Sequence, residues 1–254
     1  VGIVTAIGNT LEGITGYWLI KKFSILTSLF TRVRAVVGFT LIAFVMSLVS
    51  AGAGPAAFCI SNLASWDFYP AFFLTWWLGD ATGIIIFTPA VYTILNLKVS
   101  ELEPKDIVES TIIGLCFTLM SFIVFTNSPD HILSLLMPFI FFPLIIWVAQ
   151  KFNPVAAYLS IAIISIIAVD GTVNGFGPFV KDTRNTSLLL LQGFVSILAF
   201  TSLSFSASTN EKKFHEEKAI QSSNDLRAVF RVLPDLYFKL SRDGIILDCY
   251  TTNP

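Results

Sequence analysis

The sequence has little charge. Asp, Glu, Lys and Arg together make up 13% of its 254 residues, and 54% of the residues are hydrophobic. Soluble domains carry about 25% charged residues, so this composition is typical of a membrane protein. The formal net charge is −1 and no basic cluster is present, so we expect no nucleic-acid partner. Long uncharged runs therefore predict an integral membrane protein whose first partner is the lipid bilayer.

Cysteine and histidine are also scarce. The three cysteines lie in separate segments without a CxxC spacing, so they predict neither a disulfide framework nor a zinc site. The two histidines, His131 and His215, are expected to be solvated surface residues. The sequence therefore predicts no metal site, no catalytic residues and no cofactor in this chain.

Apolar runs recur along the chain at the length of membrane helices. A helix needs about 20 apolar residues to cross the hydrocarbon core. We therefore predict an all-α polytopic membrane bundle of about seven spans. The predicted spans are residues 1–20, 33–51, 70–97, 107–126, 132–149, 154–170 and 187–207. Residues 52–65 either extend the second span or form a partial re-entrant segment.

Charges between the predicted spans predict an orientation. The segments on one side of the membrane carry seven basic residues and those on the other side carry two. The first set is Lys21, Lys22, Arg32, Arg34, Lys98, Lys105 and Lys151, and the second set is Lys181 and Arg184. By the positive-inside rule, the first set and the C-terminal tail are expected to be cytoplasmic.

The composition changes after residue 207. Residues 208–223 are polar and charged, which predicts a cytoplasmic linker helix. Its apolar positions, and those just after it, suit either a short dimeric coiled coil or an amphipathic linker. Alternating apolar residues at 236–240, turn residues at 241–244 and a further apolar run predict a β-hairpin. We therefore divide the chain into a membrane domain at 1–207, the linker at 208–223 and the truncated start of an α+β domain at 224–254.

Four stretches resemble a known family in their order and spacing. They are "AIGNTLEGITGYWLIKK", "TWWLGDATGIIIFTPAV", "FPLIIWVAQKFNPVAAYLSIAIISIIAVDGTVNGFGPF" and "LLLLQGFVSILAFTSLSFSASTNEKK". Together they are similar to the bacterial membrane-associated sensor domain, type one of the MASE group, over nearly all of residues 1–213. The tail "LRAVFRVLPDLYFKLSRDGIILDCY" is similar to the start of a PAS domain. Members of the family usually begin with one or two further helices, so we expect a fragment that is truncated at both ends.

The resemblance implies a sensory input module of a larger receptor in the bacterial inner (plasma) membrane. Such receptors end in a histidine kinase, the output favoured here, or in a diguanylate cyclase, and no motif of either output is present in this sequence. The resemblance further implies a homodimer, a small-molecule or membrane-derived stimulus and, for a kinase, a response regulator as the downstream partner of a two-component system.

Two acids lie inside the predicted spans. Asp80 follows Pro70 by ten residues, or ~15 Å of helix, and Glu12 precedes Lys21 by nine. A central Asp costs at least about 2.5 kcal/mol on insertion scales, so both acids should face the bundle interior, where they either hold helices together or sense a stimulus. Intramembrane polar or sensing residues are predicted at Asn9, Glu12, Trp76, Trp77, Asp80 and Gln192.

Glycines mark two further candidate sites. Gly79 and Gly83 form a GxxxG pair that would let another helix approach closely. The predicted outer loop 170–179 is either a connector, which we favour, or a ligand entrance, and its candidate residues are Asp170, Gly175, Gly177 and Pro178. The alternative function is a proton- or cation-coupled secondary transporter that uses Glu12 and Asp80.

Overall fold

The computed structural model describes residues 1–25, 30–96, 104–127, 135–152, 154–232 and 237–250. Over these ranges the chain is mainly helical, as the composition predicts. The helices are α1 (Gly2–Lys22), α2 (Val33–Ile60), α3 (Tyr69–Leu95), α4 (Pro104–Phe125), α5 (Phe141–Lys151), α6 (Pro154–Val173) and α7 (Arg184–Val232). Short 3₁₀ turns, Trp66–Phe68 and Met137–Ile140, precede α3 and α5. His131 and the "LPD" tripeptide at 233–235 lie outside the described residues.

Five helices of the described chain are long and apolar enough to cross a membrane, namely α2, α3, α4, α6 and α7. By length and composition, the described residues therefore give about five spans rather than the predicted seven. α1 has 21 residues, but Asn9, Glu12 and several glycines and threonines dilute its apolar content. The apolar element Met137–Lys151 falls in the shorter class of 10–17 residues, below the length of a membrane span.

The second predicted span continues as one helix. α2 has 28 residues and runs to Ile60 with Pro55 in its interior, so residues 52–60 extend the span and form no re-entrant segment. Pro55 is buried, and the helix ends just before Asn62, whose φ of 55° breaks the helical path. This extra length gives α2 a longer face for contact with α1 and α3.

Aromatic side chains of α4, α5 and α7 form one part of the hydrophobic core, which also includes buried residues of α2, α3 and α6. The Phe125 and Phe141 rings stack with centroids 5.8 Å apart, and the Phe194 ring lies 6.4 Å from Phe125. Phe125 and Phe141 are fully buried. Offset and edge-to-face aromatic pairs at 4.5–7 Å are favourable, so these contacts stabilise the packing of α4, α5 and α7.

The chain divides into two compact units, Val1–Thr209 and Asn210–Pro254. In the second unit, strands β1 (Tyr237–Leu240) and β2 (Ile246–Tyr250) pair in antiparallel fashion. Gly244 has a φ of 79°, and the Ser241 N–H bonds to the Ile245 carbonyl at 2.7 Å. The hairpin predicted from the alternation is therefore confirmed.

Candidate functional site

The interface between α1 and α2 holds one buried acid. Gly8, Glu12 and Gly16 are the buried residues of α1, and their spacing of four places them on one face of the helix. A Cβ atom added to Gly8 would lie 3.0 Å from the Ala53 Cβ atom, so the two helices approach closely. Only 8% of Glu12 is exposed, and its Oε1 atom has no hydrogen-bond partner among the described residues.

α2 presents two buried serines to this acid. The Ser47 hydroxyl donates to the Ala43 carbonyl of its own helix at 2.8 Å, whereas the Ser50 hydroxyl donates to the Asp80 carboxylate on α3. The Glu12 carboxyl interacts electrostatically with both serines and with Asp80. Three helices therefore meet at one set of polar side chains. We call Glu12, Ser47, Ser50 and Asp80 the acid–serine cluster.

Two tryptophans hold α3 against α2 beside this cluster. The Trp77 indole N–H donates to the Phe44 carbonyl at 2.7 Å, and the two rings lie 5.6 Å apart. The Trp76 ring packs on Gly54, where an added Cβ atom would lie only 2.7 Å from a ring carbon. Trp76 also interacts with the half-buried Asp80 carboxyl one helical turn later. Aromatic packing thus positions the acid at the interface.

Asn9 is not part of the acid–serine cluster. It is exposed, whereas Glu12, three residues later on the same helix, is buried. The face of α1 that packs against α2 contains Gly8, Glu12 and Gly16, which are spaced by four residues. Asn9 lies outside this face, so the structure does not bring it to Asp80.

The cluster carries carboxyl groups without basic partners. Ion pairs within the described residues, such as Lys105 with Glu109 and Lys212 with Glu216, join side chains that are at least partly exposed, and none of these pairs involves Glu12 or Asp80. The described residues also contain no group of three or more His, Cys, Asp or Glu side chains suited to a metal ion. Hydroxyl groups are therefore the polar neighbours that the cluster offers to its two acids.

Gln192 of α7 lies against a neighbouring face of α3. Its amide sits against Gly79, where an added Cβ atom would lie 2.8 Å from the Gln192 Nε2 atom. A Cβ atom added to Gly83 would meet nothing within 4 Å, so no described helix packs against that residue. Among the described residues, Gly79 is therefore the member of the predicted glycine pair that another helix approaches closely.

Polar contacts that the sequence analysis missed join α3 to α7. The Thr82 and Ser196 hydroxyls form a hydrogen bond of 2.5 Å, and the Thr75 hydroxyl donates to the Asn185 side chain. Both contacts connect residues more than a hundred positions apart in the sequence. Short polar residues within apolar runs are the signal that could have indicated them, since such residues bridge membrane helices.

The loop after α6 packs against the end of α4. Gly175 and Gly177 have φ values of 85° and 86°, and the Gly177 N–H bonds to the Asn127 carbonyl at 2.9 Å. Pro178 is buried, whereas Asp170 is exposed and accepts a hydrogen bond from Asn174 at 3.2 Å. These contacts favour the connector interpretation of this loop.

A bundle with five helices able to span a bilayer and acids at its helix interfaces is a multi-pass membrane protein. Residues 2–213 match the family MASE1, a membrane-associated sensor domain, so the chain belongs to this family. The resemblance stated for the membrane part is thereby confirmed, and the match ends before the PAS-like tail. None of the curated proteins and none of the solved structures with which the chain was compared matches it.

Proposed function

We propose that this chain is the membrane-embedded sensory input module of a bacterial signal-transduction receptor. The observation that carries the proposal is the extent of the family match, which covers residues 2–213. Helix α7 begins inside the matched region and ends at Val232, beyond its last residue. A helix of this kind can pass a change in packing out of the matched region.

A stimulus acts on such a module by favouring one of two helix arrangements. It shifts the equilibrium only when it binds the two arrangements with different affinity. The acid–serine cluster is suited to this task, because Glu12 and Asp80 belong to two different helices and contact Ser50 of a third. Protonation or binding at these acids would alter the interface of α3 with α2, and the Thr82–Ser196 bond joins α3 to α7.

The remaining elements of the proposal concern the receptor as a whole. We propose that it lies in the inner membrane with a cytoplasmic C-terminal tail that begins a PAS domain. This orientation keeps the basic segment before α2 cytoplasmic only with an even number of crossings from α2 to α7, so the proposal includes the apolar element Met137–Lys151 as a further crossing and, as in the predicted seven spans, α1. Its output is a histidine kinase with a response regulator as partner, or else a diguanylate cyclase. We further propose a homodimer, for which exposed apolar side chains such as Phe214, Ile220 and Leu226 of α7 are candidate contacts.

A proton- or cation-coupled transporter is the second candidate function. The observation that favours it is the unpartnered Oε1 atom of buried Glu12, with Asp80 close enough for electrostatic interaction. Carboxyl groups inside a membrane bundle serve as relays in transporters and pumps. The two candidates differ in whether these acids control flux or output activity.

Neutral substitutions of the acids in the complete receptor separate the two functions. We expect Asp80→Asn and Glu12→Gln to change basal output about fivefold or more, because coupling energies between sites are typically 1–3 kcal/mol. The exposed acid Asp67 supplies the matched control Asp67→Asn, which should leave output unchanged. Output is measured in membranes at equal receptor levels, and proton flux is measured in liposomes.

Each outcome of this experiment assigns the acids to one function. Altered output with unchanged flux supports sensing. Proton-coupled uptake that is lost in Asp80→Asn supports transport instead. Wild-type output and flux in both acid variants would reduce the cluster to a role in helix packing.

A further inference from the structure

A cavity lies between α3, α6 and α7, on the side of α3 that carries Gly79 and Gly83. Its volume is about 480 Å³, within the range of about 300–1,000 Å³ that is typical of ligand pockets. The space exists partly because α3 has no side chain at Gly83, where an added Cβ atom would meet nothing within 4 Å.

The wall of the cavity is mainly apolar. Its apolar lining residues among those described are Ile86, Phe87, Ile166, Val169, Val173, Leu191 and Val195. Phe87 and Ile166 are exposed by 43% and 58%, so they lie on the lipid-facing surface of the unit. A ligand that enters past them must be soluble in the bilayer.

The polar side chains that line the cavity differ in whether they have hydrogen-bond partners. The Thr82 hydroxyl is bonded to Ser196 at 2.5 Å, and the Ser165 hydroxyl donates to the Ile161 carbonyl at 2.7 Å. The Gln192 Oε1 atom is buried and has no hydrogen-bond partner among the described residues. Because this atom is buried, it faces protein and not the open cavity, so a ligand reaches it only when the Gln192 side chain, which lines the cavity, turns inward. An unpaired buried acceptor is costly, so a molecule that donates a hydrogen bond to it after this rotation gains affinity.

The charged residue in the cavity lining indicates which head groups the cavity disfavours. Asp170 is the one charged residue among the described residues that line the cavity, and it is exposed. An anionic head group would meet this carboxylate without any basic side chain to compensate. The lining therefore disfavours fatty acids and other anionic amphiphiles.

We propose that this cavity binds an uncharged amphiphile that has an apolar body and a single hydroxyl head group. The Gln192 side chain turns toward the cavity and its Oε1 atom accepts a hydrogen bond from the hydroxyl, and the body lies along the apolar wall beside Gly83. This binding does not depend on the proposed sensory function. In a sensor, however, the occupied cavity would act on α3 and α7, the two helices that the Thr82–Ser196 bond joins.

Saturable binding of radiolabelled decanol to the chain in nanodiscs tests the proposal, with partition into empty nanodiscs subtracted. Gly83→Leu fills the cavity and should weaken binding about tenfold or more, since the ligand space is lost. The matched control is Gly13→Leu on α1, where an added Cβ atom also meets nothing within 4 Å. It should bind like the wild type.

A second variant tests the hydrogen bond without filling the cavity. Gln192→Met keeps the length of the side chain and removes the acceptor, so it should weaken decanol binding roughly two- to tenfold. This variant keeps the proposal testable should Gly83→Leu fail to fold, which circular dichroism and thermal unfolding would reveal.

Competition with related molecules tests the assigned chemistry. Decane, which lacks the donor, and decanoate, which is anionic, should both compete less well than decanol. Equal competition by decane or by decanoate overturns the hydroxyl assignment. Binding that does not saturate in the wild type, or that survives in a folded Gly83→Leu variant, overturns the site.

Discussion

The hydrogen bond between Ser50 and Asp80 should contribute measurably to the packing of α2 on α3. Ser50 is 1% exposed, and its hydroxyl donates to the Asp80 carboxylate across the helix interface. Substitution Ser50→Ala removes this donor with little change in volume. The half-buried Asp80 carboxyl then keeps its interactions with Trp76 and with the Glu12 carboxyl.

The expected coupling energy between Ser50 and Asp80 depends on the type of acceptor and on how deeply the two side chains are buried. Hydrogen bonds between membrane helices average about 0.6 kcal/mol in double-mutant cycles and reach about 1.7 kcal/mol. Hydrogen bonds to charged groups contribute about 1.5–3 kcal/mol in proteins generally. Because the donor is buried but Asp80 is only half-buried, we expect a coupling energy of about 1–2 kcal/mol between the two side chains.

A double-mutant cycle with Ser50→Ala and Asp80→Ala measures this coupling. Reversible unfolding in mixed micelles of dodecyl maltoside and sodium dodecyl sulfate gives the free energy of unfolding of each variant. The matched control is Ser160→Ala, because Ser160 is also 1% exposed but donates to the Ala156 carbonyl of its own helix at 2.6 Å. Its coupling to Asp80→Ala should stay below about 0.5 kcal/mol, as for independent sites. A Ser50–Asp80 coupling as small as that of the control would refute the role assigned to this bond.

Two further substitutions test contacts that hold the unit together, with the same unfolding measurement. An added Cβ atom at Gly171 would lie 2.1 Å from the Phe125 carbonyl oxygen, so Gly171→Ala must displace backbone and should lower the free energy of unfolding by about 1–3 kcal/mol. Gly13→Ala, which meets nothing within 4 Å, should not lower it, and equal losses in both variants would contradict the steric reasoning. Trp77→Phe removes the donor to the Phe44 carbonyl and should lower the free energy of unfolding by about 0.5–1.5 kcal/mol. An unchanged value would show that this indole bond contributes nothing to stability.

The helical architecture was predictable because hydrocarbon solvent imposes it. Apolar runs such as those of α2 and α6 are long enough to identify the spans by composition alone. α1 was counted among the spans because the predicted segment 1–20 is apolar at both ends, but Asn9 and Glu12 interrupt its middle and the helix is not among the five that are long and apolar enough. The segment that contains α5 was also counted, but the described element Met137–Lys151 is in the shorter class of 10–17 residues even with the 3₁₀ turn Met137–Ile140 included.

The candidate site was predictable only in part. An acid that faces lipid raises the free energy of the protein, so the sequence predicts that Glu12 and Asp80 face other helices. Both acids lie at helix interfaces in the structure. The partners were not predictable, because a helix that is apolar on all sides gives no periodicity from which to choose the packed face. Asn9 was therefore expected at the interface but is exposed, and Ser50, which carries the hydrogen bond, was overlooked.

The position of α3 gives the two candidate sites a common element. One side of this helix presents Asp80 to Ser50 of α2, and the adjacent residue, Gly79, lies against Gln192 of α7. A change at either site must therefore be accommodated by movement of the same helix or by loss of a contact at the other site. Close-packed interfaces tend to switch between discrete arrangements rather than deform continuously. In a sensor built on this unit, the acids and the cavity would accordingly bias one shared equilibrium of α3 between α2 and α7.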